Sequence, residues 1–350
     1  MPAANASRGL SWPQVLGPLV AGQDVSREAT AWAMEQLLSG EATQPQQVAF
    51  AVALRCKGET VEEIAGLADT MLDFATPIEV AGPAVDIVGS GADRSNSVNI
   101  STMAAIVAAA AGVRVVKHGN RAASSMCGAA DVLEALGVKL ELTPERQAEV
   151  VDEVGIGFLF APIYHPALRH AVWRRELGIP TTFNILGPLT NPAQPIAQAI
   201  GVADERMAPL MAGVFADRGQ RGLVVHGGDG LDELTTTTTS RVWVYGDGGA
   251  VHRQELDPLD LGIARAEVDD LIGGDPSVNA GVVNELLDGK PGPVRDVVLL
   301  NAAAALVAYD GPVAAELETQ LAGALERARD AIDSGAGRAK LHAWVEATQS

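Results

Sequence analysis

Residues 117–125 read K-H-G-N-R-A-A-S-S, which sets an ammonium, an imidazole, an amide, a guanidinium and two hydroxyls in one short stretch. Such a set grips a phosphorylated ligand: Lys117 as a point charge, Arg121 as a planar fork, and Gly119, Ser124 and Ser125 as amide or hydroxyl donors. Asn120 carries both a donor and an acceptor, which suits a neutral polar group such as an amine. His118 has the chemistry of a general base, but a lone histidine more often orients or packs, so its expected role is supporting. A second stretch, G-S-G-A-D-R-S-N-S-V-N-I-S-T over 89–102, resembles a phosphate cradle. Gly89 and Gly91 let backbone amides approach an anion, and Ser101 and Thr102 stand at a helix start, where N–H groups are free. It is not a P-loop, since no Gly-Lys-Ser/Thr closes it, and G-x-G-x-x-G is absent. A third stretch, H-G-G-D-G-L-D-E-L, offers Asp232 and Glu233 as adjacent hard-oxygen donors for Mg2+ shared with substrate phosphates. In W-R-R-E-L-G, Arg174 and Arg175 would point about 100° apart on a helix, so one of them faces a site.

The elements that must position these groups alternate. V-D-I-V (85–88), V-R-V-V before K-H-G-N, G-F-L-F, A-Q-A-I-G-V and G-L-V-V-H read as short buried strands, each followed by a loop and a helical pattern. That alternation predicts an α/β fold: a central, mostly parallel sheet with helices on its faces and the three polar loops on one edge. The first eighty residues are helical throughout, with helices expected near 10–40, 44–57 and 60–75. Ser26 can cap one of them, and Thr60 with Glu63 forms a capping-box pattern. Thr143, Pro144 and Glu145 start another helix, and T-T-F-N-I-L-G-P-L-T-N-P reads as an ordered connection. The five threonines at 235–239 suggest a loop or edge strand.

A net charge of −19 argues against a nucleic-acid-binding surface, because phosphate neutralisation by Lys and Arg supplies most non-specific affinity. An anionic ligand must then be held by local amides, a few placed cations and a divalent metal. Cys56 and Cys127 cannot build a disulfide framework or a closed zinc site. No signal-peptide pattern opens the chain, and the longest apolar run, 103–113, falls far short of the ~20 residues of a span. A cytoplasmic protein with no membrane partner is expected.

Taken together, D-I-V-G-S-G-A-D…V-N-I-S-T, K-H-G-N-R-A-A-S-S, F-N-I-L-G-P-L-T-N-P and D-G-L-D-E-L-T-T-T closely resemble the anthranilate phosphoribosyltransferases of tryptophan biosynthesis. The resemblance runs along nearly the whole chain. It implies the nucleoside phosphorylase type III fold, in which a small all-helical domain (1–82, completed by about 163–188) is hinged to a large α/β domain (83–162 and 189–350). It also implies a homodimer through the helical domains. The implied substrates are anthranilate and 5-phosphoribosyl 1-diphosphate. The latter would be held by Gly89, Gly91, Ala92, Asp93, Ser97, Asn99, Ile100, Ser101 and Thr102, and by Lys117, His118, Gly119, Asn120, Arg121, Ala122, Ala123, Ser124 and Ser125, with Ala129 beyond. Asn120 and Arg174 would contact anthranilate. Two Mg2+ ions are implied, one helped by Ser101 and one on Asp232 and Glu233.

Several positions depart from the family pattern. Ala92 stands where the family's G-T-G-G-D has its third glycine, and Ala there costs roughly 1 to 2 kcal/mol if the backbone is left-handed. Ser97 replaces a usual Thr and keeps a hydroxyl, whereas Ala129 replaces a usual Ser and loses one. Counting from His170 favours Arg175 as the anthranilate contact; counting from R-E-L-G favours Arg174, which is taken as the contact. Two other functions compete: a pyrimidine-nucleoside phosphorylase, and a non-catalytic nucleic-acid-binding relative on the same scaffold.

Overall fold

The computed structural model describes residues 9–91, 93–122, 125–170, 173–246 and 249–350. Four helices open the chain: α1 (Trp12–Val20), α2 (Arg27–Leu38), α3 (Gln44–Lys57) and α4 (Val61–Asp73). The single helix expected over 10–40 is therefore two. Backbone bonds from Gly22 and Gln23 to Leu19 and Pro18 close α1, and Ser26, in extended backbone, restarts the helix by accepting from the Ala29 N–H. The Thr60–Glu63 capping box forms as predicted, with Thr60 Oγ1 and Glu63 Oε2 each accepting the other residue's N–H.

A seven-stranded sheet follows, built from β1 (Val85–Gly89), β2 (Val115–Gly119), β3 (Ile156–Phe160), β4 (Ala197–Gly201), β5 (Arg221–Gly227), β6 (Ser240–Tyr245) and β7 (Val251–Leu256). Its spatial order is β3-β2-β1-β4-β5-β6-β7. The first five strands run parallel, and β6 and β7 extend the sheet antiparallel. The helices between and after them are α5 (Ile100–Ala110), α6 (Ala129–Ala135), α7 (Pro144–Val154), α8 (Ala161–Tyr164), α9 (Trp173–Leu177), α10 (Leu186–Leu189), α11 (Ala208–Asp217), α12 (Pro276–Leu287), α13 (Pro293–Asp310), α14 (Leu317–Asp333) and α15 (Ala336–Gln349).

Strand alternation decides which helices cover which face. Leu223, Val225, Val242 and Val244 join a core with the alanine-rich α5 and α13 and with α14 and α15. Val224, Trp243 and Tyr245, one residue out of phase, join a second core with α11 and the opening helices. Trp173, Phe183, Leu186 and Leu189 from the connection after β3 pack into that second core. Among the described residues no helix is long and apolar enough to cross a membrane.

The chain turns from β1 to β2 and β3 on one side, then re-enters at β4 on the other. The strand order thus reverses between β1 and β4, which in open α/β sheets puts a crevice beyond the carboxyl ends of those strands.

Candidate active site

A cavity of about 380 Å3 occupies that crevice, within the usual range for small-molecule sites. The β1–α5 loop, the end of β2, the loop before α6, the connection 165–188 and the Asp232–Glu233 turn all line it.

Asp232 sits directly over the switch point. Its Oδ2 accepts the Gly91 N–H at 2.6 Å. A Cβ on Gly89 would lie 2.3 Å from that Oδ2, and one on Gly201 would lie 1.6 Å from the Asp232 carbonyl oxygen. Gly89 and Gly201 are paired across β1 and β4, so two side-chain-free strand ends make the seat for this turn. Gly89 therefore serves the acid pair more directly than it serves an anion. The turn is not a solvated loop: Asp232 and Glu233 are both buried. Burial raises both carboxyl pKa values; the charge of Asp93 adds to the rise at Asp232, and the charge of Asp232 adds to it at Glu233. Lys117 and the Ser101 hydroxyl oppose it at Glu233. Buried, mutually repelling carboxylates are a donor set suited to a hard divalent cation completed by water and phosphate oxygens. Among the described residues no three or more His, Cys, Asp or Glu side chains form a metal cage.

The threonine run forms part of the same turn. Thr235 and Thr236 are fully buried, and Thr235 and Thr237 donate their hydroxyls to Asp229 Oδ2 at 2.7 and 2.5 Å. Asn301, from inside α13, accepts the Leu234 N–H at 3.0 Å and donates to the Leu234 carbonyl at 2.8 Å. A single buried amide thus clips the peptide beside Glu233. Neither Asn301 nor Asp229 belongs to the site predicted from sequence. The signal for Asn301 was a lone polar residue in D-V-V-L-L-N-A-A-A-A.

Lys117, His118 and Gly119 lie in β2, not in a loop as predicted, because β3 pairs with all three. Lys117 is only 1% exposed and donates to the Ile87 carbonyl at 2.5 Å and to Ser101 Oγ at 3.1 Å. Its Nζ thus reaches across β1 to the start of α5. Burial lowers its pKa, against the charges of Asp86, Glu233 and Asp232. The His118 ring lies 5.1 Å from that of His165; its Nδ1 meets the Gly187 carbonyl at 3.0 Å, and its buried Nε2 has no hydrogen-bond partner among the described residues. Burial holds His118 down to about 3 and His165 to about 4, so both rings are neutral near pH 7.

The remaining predicted residues divide. Asp93, Ser97, Asn99, Ile100, Ser101, Asn120, Arg121, Ala122, Ser125 and Ala129 line the cavity. Thr102 does not: its side chain is turned into the core, 1% exposed. Asn99 accepts from Asn279 at 2.8 Å and donates to the Cys127 carbonyl at 3.1 Å, tying the first loop to the second. Arg121 is held by Asp131 and Glu134 and lies over the Phe160 ring. Arg94 and Asn96 take left-handed backbone at φ 60 and 51, local strain of the kind found where a loop is shaped for a ligand. Ala92, Ala123 and Ser124 lie outside the described residues, as do the side chains of Arg174 and Arg175, whose backbone is in α9. Leu168, Phe183, Leu186 and Pro188, from the connection after β3, add apolar lining beside His165 that no predicted site residue covered.

The chain matches the model for the helical bundle domain of a glycosyl transferase family over residues 13–75, and for the a/b domain of that family over residues 81–338. It is 62% identical over 339 residues to an anthranilate phosphoribosyltransferase of Nocardioides sp., covering 97% of this chain and 99% of that one. The crystal structure of anthranilate phosphoribosyltransferase from Thermus thermophilus aligns with a TM-score of 0.89 and 41% identity, over 96% of this chain and 99% of that one. The Saccharomyces cerevisiae enzyme in complex with PRPP and Mg aligns with a TM-score of 0.83 and 26% identity, over 97% and 98%.

Two consequences of this geometry are measurable. Asn301→Ala strands the Leu234 N–H and carbonyl in the core, and urea denaturation should report a loss of about 2 to 4 kcal/mol. His165 gives a pH dependence. The unfolded chain takes up its proton near the ordinary 6.5, whereas the folded chain resists until about 4. The stability contribution is therefore complete above about 6.5 and is lost as pH falls towards 4. His165→Gln should shrink the stability lost between pH 7 and pH 5 by about 2 kcal/mol, and an unchanged slope would contradict a neutral buried ring.

Proposed function

The chain belongs to the anthranilate phosphoribosyltransferase family, and from that premise we propose how its own residues divide the reaction. It transfers the 5-phosphoribosyl group of 5-phosphoribosyl 1-diphosphate to the amine of anthranilate, giving N-(5-phosphoribosyl)anthranilate and diphosphate, in tryptophan biosynthesis. The phosphorylase and nucleic-acid-binding readings give way to it. The observation that carries our assignment is the buried Asp232–Glu233 pair over the β1/β4 switch point, facing the 89–102 loop.

In this reading the polar lining of the cavity takes the phosphoribosyl diphosphate and the apolar lining takes the aromatic ring. The amides of the 89–102 loop, Ser97 and Ser101 bind its phosphate oxygens, with Asn120, Arg121, Ala122 and Ser125 as a further part of the lining. Lys117 acts from beneath: its ammonium orients the Ser101 hydroxyl and sets the local potential, and it does not stand free as a point contact. Asp232 and Glu233 would hold one Mg2+ and Ser101 would help hold another. When bound, Mg2+ neutralises charge on the departing diphosphate. The C1–O bond to diphosphate breaks, the amine nitrogen bonds to C1 with inversion, and one amine proton is released to solvent. An aryl amine is unprotonated near neutral pH, so orientation counts for more than a strong base. Arg174 supplies that orientation through the anthranilate carboxylate, and Asn120 meets the amine. Neutral His118, whose Nε2 has no hydrogen-bond partner among the described residues, supports this arrangement. The helical unit with the 163–188 connection moves as one body against the sheet, and two copies pair through it as a homodimer.

Mixing the protein with anthranilate, phosphoribosyl diphosphate and Mg2+ should extinguish anthranilate fluorescence; a steady signal at micromolar protein would sink the reading. The double change Asp232→Asn with Glu233→Gln should abolish the Mg2+-dependent part of phosphoribosyl diphosphate binding by calorimetry. Equal Mg2+ dependence in both proteins would remove the acids from metal duty.

A further inference from the structure

Behind the apolar lining of the cavity, one buried carboxylate joins three segments that are far apart in sequence. Glu59 lies in the turn between α3 and α4, and its side chain is fully buried. Thr182 donates its hydroxyl to Glu59 Oε1 at 2.6 Å. Arg206, in the passage from β4 to α11, stands 2.8 Å from Oε2. Arg55, one helical turn before Glu59, lies 4.0 Å from it and reaches Asp204 at 2.7 Å. A carboxylate therefore sits where the opening helices, the connection after α9 and the sheet's own loop converge. It takes no part in the neighbouring capping box, which Thr60 and Glu63 complete between themselves.

An ion pair to a buried carboxylate is a poor way to gain stability, because desolvating the charge offsets most of the attraction. What it gives is geometry: the Thr182 hydroxyl bonds one oxygen, and Arg206, itself partly exposed, is the ion-pair partner of the other. Thr182 is itself fully buried, and Phe183 and Asn184, the next two residues, line the cavity. The same short segment carries the Gly187 carbonyl that meets His118.

We propose that Glu59 is a positioning residue for the acceptor half of the reaction. Through Thr182 it fixes Phe183 and Asn184, and with Arg206 it sets that wall at a defined distance from the sheet that carries the phosphoribosyl end. The inference rests on the reading above, in which the apolar lining seats the aromatic amine.

The test compares Thr182→Val, which keeps shape and loses the hydroxyl, with Thr182→Ser, which keeps the hydroxyl. Steady-state rates and melting temperatures are measured alongside the unaltered protein. Thr182→Val should raise the KM for anthranilate roughly tenfold while the KM for phosphoribosyl diphosphate stays within about twofold, and Thr182→Ser should restore it. Glu59→Gln, which sets an amide against Arg206, should give the same split. Unchanged anthranilate KM in Thr182→Val would overturn the proposal, as would equal rises in both KM values that track a lowered melting temperature. Failure of the unaltered protein to consume anthranilate would instead overturn the underlying substrate assignment, and this proposal with it.

Discussion

An aspartate resting on two bare strand ends, its carboxylate on one and its backbone carbonyl on the other, sets the terms for everything around it. Asp232 touches the backbone of Gly89 and the end of Gly201 at distances that leave no room for a side chain on either. Because those residues are partners across β1 and β4, the contact places negative charge where the sheet reverses direction. The rest of the site can be understood as what such a contact requires. The β1–α5 loop bends so that the Gly91 N–H reaches the carboxylate. The following turn is folded on Asp229 by the threonine hydroxyls and clipped by Asn301 from below.

The charge pattern follows the same logic. The protein is strongly acidic overall, yet its cavity must admit a polyanion. Among the described residues the cations nearest the site are engaged elsewhere: Arg121 by Asp131 and Glu134, and Lys117, buried, by Ser101 and the Ile87 carbonyl. In the proposed reading, amides, hydroxyls and the acid pair with its metal would take over the work that a basic patch does in nucleic-acid-binding proteins. Neutral His118 and His165 add polar contacts without adding charge.

Much of this was legible in the chain. Short apolar runs marked five of the strands, and loops at their ends carried the polar residues, because a parallel sheet brings those ends to one edge. What was not legible is contact between distant segments. Local pattern could not tell that K-H-G continues the strand, since pairing with β3 decides it. Nor could it join His118 to His165, or Asn301 to Leu234 and Glu59 to Thr182, the last two pairs being 67 and 123 residues apart. Thr102 shared a helix start with Ser101 but points to the other side of it, a difference of one residue that spacing alone left open. The apolar lining of the cavity escaped for a related reason: its residues come from a connection whose prolines and asparagines signalled order but not what that order faced.

The alanine-rich helices α5 and α13 lie packed against each other beneath the site, with Ala104, Ala105, Ala302, Ala303 and Ala305 all within 1% of complete burial. Small side chains bring two backbones close and leave little that can be repacked. As a mechanical element the pair is a stiff shim under the strand ends, its longer side chains, such as Met103, Ile106, Leu300 and Leu306, being locked in the same core. If the cavity closes on its substrates as proposed, that layer would take up little of the strain, and displacement would fall to the loops above the sheet and to the connection that carries Thr182.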